Sequence, residues 1–245
     1  MPLKPIGTDS VDYLKALVIA RYGIGKTSLI RTIFGQRYND GEWSPPQETD
    51  ERVLVLSAEG GLLAVRDLVR AGMIEGYEIS SILELEEAFN LANSSQEFKE
   101  RYTWIFIDSL TEIASRCEED MQRRYPDASA SFRMWGEYSK KMKQLIKGFR
   151  DIQGYSVLFT CLETVDKDES NRRYMAPAMA GKRLKEELPS YFDLVLYMGV
   201  MQTEAGDDRV LYTQPVNDFP AKDRSGCLDP IEYPDLLNIK LKIFG

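Results

Sequence analysis

Val18-Ile19-Ala20-Arg21-Tyr22-Gly23-Ile24-Gly25-Lys26-Thr27, residues 18–27, is the stretch that decides the fold. Ala16 to Ala20 is a short apolar run that ends in a glycine-rich turn, so it reads as a buried strand. Thr27 to Phe34 reads as a helix. A buried strand feeding a glycine turn and a helix is the setting of a phosphate loop. There, backbone N–H groups and a helix N-terminus surround the anion, a lysine adds a point charge and a hydroxyl reaches Mg²⁺. Arg21, Tyr22, Gly23, Ile24, Gly25, Lys26, Thr27 and Ser28 are therefore the expected contacts to ATP, with Thr27 a ligand of Mg²⁺. The strict spacing G-x-x-x-x-G-K-[ST] wants glycine where this chain has Ala20, which implies a weaker affinity for nucleotide. The alternative is a chance glycine turn.

Outward from the loop, two carboxylates follow apolar strands. Asp108 ends Trp104-Ile105-Phe106-Ile107, where a carboxylate can hold Mg²⁺ through water. Asp108 or Ser109 can equally cap the helix that starts at Leu110. Glu59 follows Val53-Leu54-Val55-Leu56-Ser57 and is placed to orient an attacking water and accept its proton. A surface turn acid is the other reading, since Gly60-Gly61 comes next.

Further apolar runs at 157–161 and 194–198 alternate with helical stretches at 62–70, 84–92, 110–124 and 136–150. That alternation predicts an α/β fold, a mostly parallel sheet with helices on both faces and ligands at the carboxyl ends of the strands. Residues 36–51, 125–135 and about thirty polar residues before 194 read as loops. One domain over 1–245 is expected, with a core of about 14–228.

Composition narrows the chemistry. Of 245 residues, 43% are hydrophobic and 29% charged, which suits a globular chain rather than a disordered one. No apolar run reaches the ~18 residues of a membrane span, and Met1-Pro2-Leu3-Lys4-Pro5 lacks a signal-peptide core, so no membrane partner and a cytoplasmic location are expected. Histidine is absent, which removes imidazole acid–base catalysis and His-based zinc sites. Cys117, Cys161 and Cys227 match no metal or disulfide spacing and read as buried or structural thiols. The net charge of −8, from 31 basic and 39 acidic residues, argues against non-specific DNA coating but leaves room for a local basic face.

Such a face is on offer. On a helical wheel Tyr138, Met142, Leu145, Ile146 and Phe149 share one side, with Lys140, Lys143, Lys147 and Arg150 broadly opposite. Upstream, Arg123-Arg124-Tyr125 and Phe132-Arg133-Met134-Trp135 interleave cations with aromatic rings, a composition able to stack bases and neutralise phosphates. The polar stretch between Val165 and Leu188 adds Arg172, Arg173, Lys182, Arg183 and Lys185, diluted by nearby acids. A solvated helix face is the plain alternative.

Taken in order, these pieces resemble the RecA-like P-loop ATPases, with Ala58-Glu59 after the second core strand and Asp108-Ser109 after the metal strand. Within that group the chain resembles the compact, core-only ATPases of bacteriophages associated with single-strand annealing and recombination. Ala58-Glu59-Gly60-Gly61, Trp135-Gly136-Glu137-Tyr138 and Ala221-Lys222-Asp223-Arg224-Ser225-Gly226 carry that likeness, over roughly residues 14–228. The resemblance implies that Lys26 and Thr27 bind phosphate and metal, that Asp108 positions the metal and that Glu59 is the catalytic carboxylate. It implies that Lys222 and Arg224 reach into a neighbour's site, hence self-association into a ring or filament. It also places DNA-facing loops at the two basic segments, and suggests single-stranded DNA and a single-strand-binding protein as partners. The chain departs from the group at Leu162, where relatives commonly carry a polar sensor; Thr160 or Glu163 is positioned to substitute. Two other readings stay open: a nucleotide-switched regulatory ATPase acting on proteins without DNA, and a monomeric nucleotide-binding module with little turnover.

Overall fold

The first strand, β1 (Lys15–Ala20), alternates two apolar faces, and both are buried. Leu17 and Ile19 point into one hydrophobic cluster, Ala16 and Val18 into another. A strand covered on both sides reads as a continuous apolar run, which is the signature of a parallel sheet between helix layers. The computed structural model describes residues 12–167, 170–171, 173–204, 206–216 and 218–245.

The remaining strands are β2 (Tyr38–Asn39), β3 (Glu42–Trp43), β4 (Val53–Ser57), β5 (Ile74–Glu78), β6 (Trp104–Asp108), β7 (Ser156–Lys167), β8 (Arg173–Pro177), β9 (Leu194–Thr203), β10 (Gly206–Tyr212), β11 (Lys222–Asp223) and β12 (Ile231–Glu232). The main sheet runs β12-β10-β9-β1-β7-β6-β4-β5, with β2 and β3 forming a separate hairpin. From β9 through β5 every neighbouring pair is parallel, while β10 and β12 are antiparallel additions at one edge. Helices α1 (Ile30–Ile33), α2 (Arg66–Arg70) and α8 (Leu236–Phe244) contribute to the Ala16/Val18 core. Helices α3 (Ile82–Ser94), α5 (Leu110–Arg124), α6 (Ser131–Asp151) and α7 (Lys182–Glu187) contribute to the Leu17/Ile19 core; α4 (Gln96–Arg101) is half-exposed beside α3. This is the mostly parallel sheet with helices on both faces that the sequence predicts, and β7 lies between the strand of the glycine turn and the strand of Asp108.

Three segments differ from expectation. The stretch 125–135 is not all loop: a 3₁₀ turn at Ala128–Ala130 leads straight into α6, whose buried face adds Met134 to the five wheel residues. The polar stretch after 161 is ordered in large part, because β7 continues to Lys167 and pairs with β8 before α7 begins. Those outer β7 residues leave the core, so they carry no apolar pattern and backbone pairing alone makes them a strand. The 36–51 segment contains the β2–β3 hairpin. Cys227 is exposed, unlike Cys117 and Cys161, and is not a buried thiol. Among the described residues no helix is long and apolar enough to cross a membrane.

Candidate active site

The glycine turn stands at the carboxyl end of β1, between Leu162 of β7 and Met198 of β9. Gly23 and Gly25 have φ of +73° and +105°, conformations that side chains resist, so the loop's curvature depends on them. Ala20, where the strict motif has glycine, is the last extended residue of β1 and needs no positive φ. The helix expected at 27–34 is a 3₁₀ turn, Thr27–Leu29, followed by the four residues of α1. So short a helix carries little dipole, and anion binding falls to the loop's backbone amides and to Lys26.

Lys26 is 8% exposed, and its ammonium donates to the carbonyls of Arg21 at 2.8 Å and Ala20 at 3.4 Å. Burial pushes its pKa down, while Asp108 and Glu59 work in the opposite direction. A buried cation whose hydrogen bonds, among the described residues, go to the carbonyls of its own loop is set to accept an anion there.

Asp108 ends β6 and is 3% exposed. Its Oδ2 accepts from the Thr27 hydroxyl at 2.6 Å and its Oδ1 from the Thr160 hydroxyl at 2.6 Å. Burial raises the carboxyl's pKa, with the two hydroxyls offsetting part of that. A buried carboxylate beside a hydroxyl, with oxygen donors only, is the ligand chemistry of a hard cation such as Mg²⁺. The residues thus fit the metal: Thr27 would be a direct ligand, with Asp108 behind it. The Asp108–Ser109 peptide is cis.

Glu59 lies exposed just past β4, and its Oε1 accepts from the Ser109 hydroxyl at 2.6 Å. The preceding residue is tied to β6: Ala58 N donates to Asp108 O at 2.8 Å, and Arg116 donates to Ala58 O. The fold therefore brings Lys26, Thr27, Asp108 and Glu59 to one end of the sheet. Of the two substitutes for the missing sensor, Thr160 is taken up by Asp108. Glu163 is engaged by the loop's own Arg21 at 2.7 Å.

Lys222 and Arg224 are elsewhere. Lys222 pairs with Val195, and Asp223 with Leu194, next to the start of β1 rather than its carboxyl end. Lys222 donates to Pro189 O and Arg224 to Asp193. Neither belongs to the phosphate loop of its own chain.

The basic surface is more neutralised than its composition suggests. Arg123, Arg124 and Arg133 pair with Asp120 or Glu137, Lys143 and Arg183 share Glu187, and Lys182 faces Glu186. Lys147 sits over the Tyr191 ring, and Lys140 makes no ion pair among the described residues. Lys140, Lys143, Lys147 and Arg183 line one open groove. Trp135 is half-buried and packs edge-on against Tyr138 at 5.5 Å, so part of its ring is taken up by the core. Phe132, one helical turn before it, is 94% exposed. Arg173 is exposed on β8, and Arg172 lies outside the described residues.

The sequence reading missed one cation at the loop. Arg209 on β10 places Nη1 3.1 Å from where a Cβ on Gly25 would stand. No local motif marks it, because it reaches the loop only through the β9–β10 pairing.

A family model described as an AAA domain matches residues 12–225. A search of curated proteins finds no match. Among solved structures the chain is similar to a KaiC-like protein from the hyperthermophilic archaeon Pyrococcus horikoshii OT3, at a TM-score of 0.42 and 13% identity over 83% of this chain and 79% of that one.

Proposed function

Because this chain belongs to the AAA-domain family, whose members are P-loop ATPases, we propose that it binds ATP with Mg²⁺ and hydrolyses it in assemblies of its own copies on single-stranded DNA. The convergence of Lys26, Thr27, Asp108 and Glu59 on the carboxyl end of β1 carries the ATPase part. Lys26 would hold the β- and γ-phosphates, Thr27 and Asp108 would hold the metal, and Glu59 would accept a proton from the attacking water. The metal would supply charge neutralisation at the leaving phosphate. Self-association is supported by Lys222 and Arg224, which lie away from the phosphate loop of their own chain, with Arg224 exposed to a neighbour.

The DNA part rests on the groove lined by Lys140, Lys147 and Arg183 and on the exposed ring of Phe132. Cations along a groove with an aromatic platform suit a single strand. A phage-type role in annealing or recombination, beside a single-strand-binding protein, follows from this reading. The ion pairs that occupy Lys143, Arg183 and Arg133 favour a second reading, a regulatory ATPase that acts on proteins.

One experiment separates them: ATPase rate with and without single-stranded DNA at several protein concentrations. Stimulation by DNA supports the first reading. A rate indifferent to DNA but rising steeply with protein concentration supports the second, and no turnover at any concentration removes the ATPase reading.

A further inference from the structure

We propose that the cavity on the β9–β10 side of the phosphate loop is the nucleoside subsite, and that Arg209 and Tyr38 close over the base. This rests on the ATPase reading and names the part of the ligand which that reading leaves unplaced.

The sheet order gives the direction. Thr160, Asp108 and Glu59 come from β7, from β6 and from just past β4, all on one side of β1. A cavity of about 210 Å³ opens on the other side, against Gly25 and Ser28 of the loop and Met198, Asp208 and Arg209 of β9 and β10. A linear triphosphate with its terminal phosphate toward Asp108 must bring its nucleoside out on the opposite flank. The volume is below the roughly 300–1,000 Å³ of sites that enclose whole drug-sized ligands. It suits a base and part of its sugar, with the phosphates lying in the loop outside it.

The walls are chosen for a flat ring. Tyr38 and Trp43, on the β2–β3 hairpin, stand 5.3 Å apart, and the Tyr233 hydroxyl meets Tyr38 O at 3.5 Å. Tyr38 is 42% and Tyr233 49% exposed, a costly arrangement for large rings with nothing to cover them. The Arg209 guanidinium carbon lies 5.8 Å from the centre of the Tyr38 ring. It makes no ion pair among the described residues, although Asp207 and Asp208 precede it on the same strand. Both side chains line the cavity, and an arginine plane and an aromatic ring are each surfaces on which a base stacks. The hairpin also fixes the pocket to the loop, because Gln47, just past it, bonds Phe34 O at the end of α1.

The test compares Mg²⁺-ATP with Mg²⁺-tripolyphosphate, which has the phosphates and no nucleoside, by calorimetry on the whole chain. Wild-type protein should bind ATP more tightly than tripolyphosphate. Tyr38→Ala and Arg209→Ala should each weaken ATP by roughly 5- to 150-fold, the range that base stacking contributes, and leave tripolyphosphate unchanged. Tyr38→Phe should restore ATP binding, because the ring and not the hydroxyl is used. Lys26→Ala should weaken both ligands. ATP binding of wild-type strength in Tyr38→Ala overturns the subsite. Equal loss of both ligands in Arg209→Ala overturns its place over the base and assigns it to phosphate. Wild-type protein that binds neither ligand overturns the ATPase reading itself.

Discussion

The Thr27 hydroxyl donates to Oδ2 of Asp108 at 2.6 Å, although β7 separates the strand leading to Thr27 from the strand that ends in Asp108. Thr160, at the same level of β7, fills the gap by donating to the carboxylate's other oxygen. Three strands therefore fix one carboxylate from both sides, and among the described residues it makes no ion pair.

That arrangement predicts a trade between stability and function at Asp108. Burial raises its pKa, so the folded chain holds the proton more tightly than the unfolded one does. Its contribution to stability is then greatest in acid and falls as pH rises above the ordinary 3.8. At pH 7, without metal, Asp108→Asn should raise the melting temperature by about 2–4 °C, corresponding to ~1 kcal/mol. Mg²⁺-dependent phosphate release should fall by about 100-fold or more, since charge stabilisation at the phosphates is lost. A lower melting temperature in the metal-free variant would contradict the burial argument.

Glu59→Gln should keep nucleotide binding and lose turnover by about 10²–10⁴-fold, the usual contribution of a general base. Ser109→Ala removes only the hydroxyl that holds Glu59 and should cost far less. Equilibrium binding and single-turnover hydrolysis, measured on both variants, check this. Normal turnover in Glu59→Gln would remove the catalytic role.

Lys222 and Arg224 should act in trans. Burial and the neighbouring Arg224 lower the pKa of Lys222, and Asp193 opposes them. An arginine supplied to a neighbour's phosphate is worth roughly 10³–10⁵ in rate. Lys26→Ala and the double variant Lys222→Ala/Arg224→Ala should each be nearly inactive alone, and mixing them should recover part of the activity. Normal hydrolysis by the double variant alone would refute the idea.

On the basic face, Phe132→Ala should weaken single-strand binding by about 1–3 kcal/mol if the ring stacks on a base. Trp135→Ala should act instead through stability, because its ring packs on Tyr138. Lys140→Glu/Lys147→Glu should flatten the salt dependence of binding. Fluorescence anisotropy across a salt series distinguishes these effects; an unchanged slope would clear the groove of a role.

Lys15 makes stability depend on pH far from the site. Its ammonium donates to Ile152 O at 2.7 Å and Tyr155 O at 2.6 Å, yet burial pushes its pKa down to about 7, with Asp151 opposing. Between about 7 and the ordinary 10.5 the unfolded chain binds more protons, so stability should rise with pH across that window. The slope is at most about 1.4 kcal/mol per pH unit for one group. Lys15→Met should flatten it in denaturant titrations at pH 7 and 9; an unaltered slope would mean that Lys15 stays charged throughout.

Much of this was legible along the chain. The runs around Ala16–Ala20, Val53–Ser57 and Trp104–Ile107 are apolar because both sheet faces are covered, and such runs announce themselves. The wheel of α6 was equally plain, since a buried stripe repeats at helical spacing. The outer half of β7 escaped because it pairs with β8 outside the core, where no hydrophobic pattern is needed. Trp135 shows a related effect: an aromatic ring among cations looks exposed in sequence, and only the structure shows it half-buried against Tyr138.

By itself, then, the sequence determined the phosphate loop and the fold class, because Gly23-Ile24-Gly25-Lys26-Thr27 acts through backbone conformation and adjacent side chains, and strand and helix periodicities are local. Tertiary structure alone decided which distant groups share the loop. The order β10-β9-β1-β7-β6-β4 sets Asp108 and Glu59 on one flank and Arg209 on the other, where the separate β2–β3 hairpin brings Tyr38, and leaves Lys222 and Arg224 at the far end of β1. Strand order is fixed by which faces and edges pair best in three dimensions, and no local residue pattern encodes that choice.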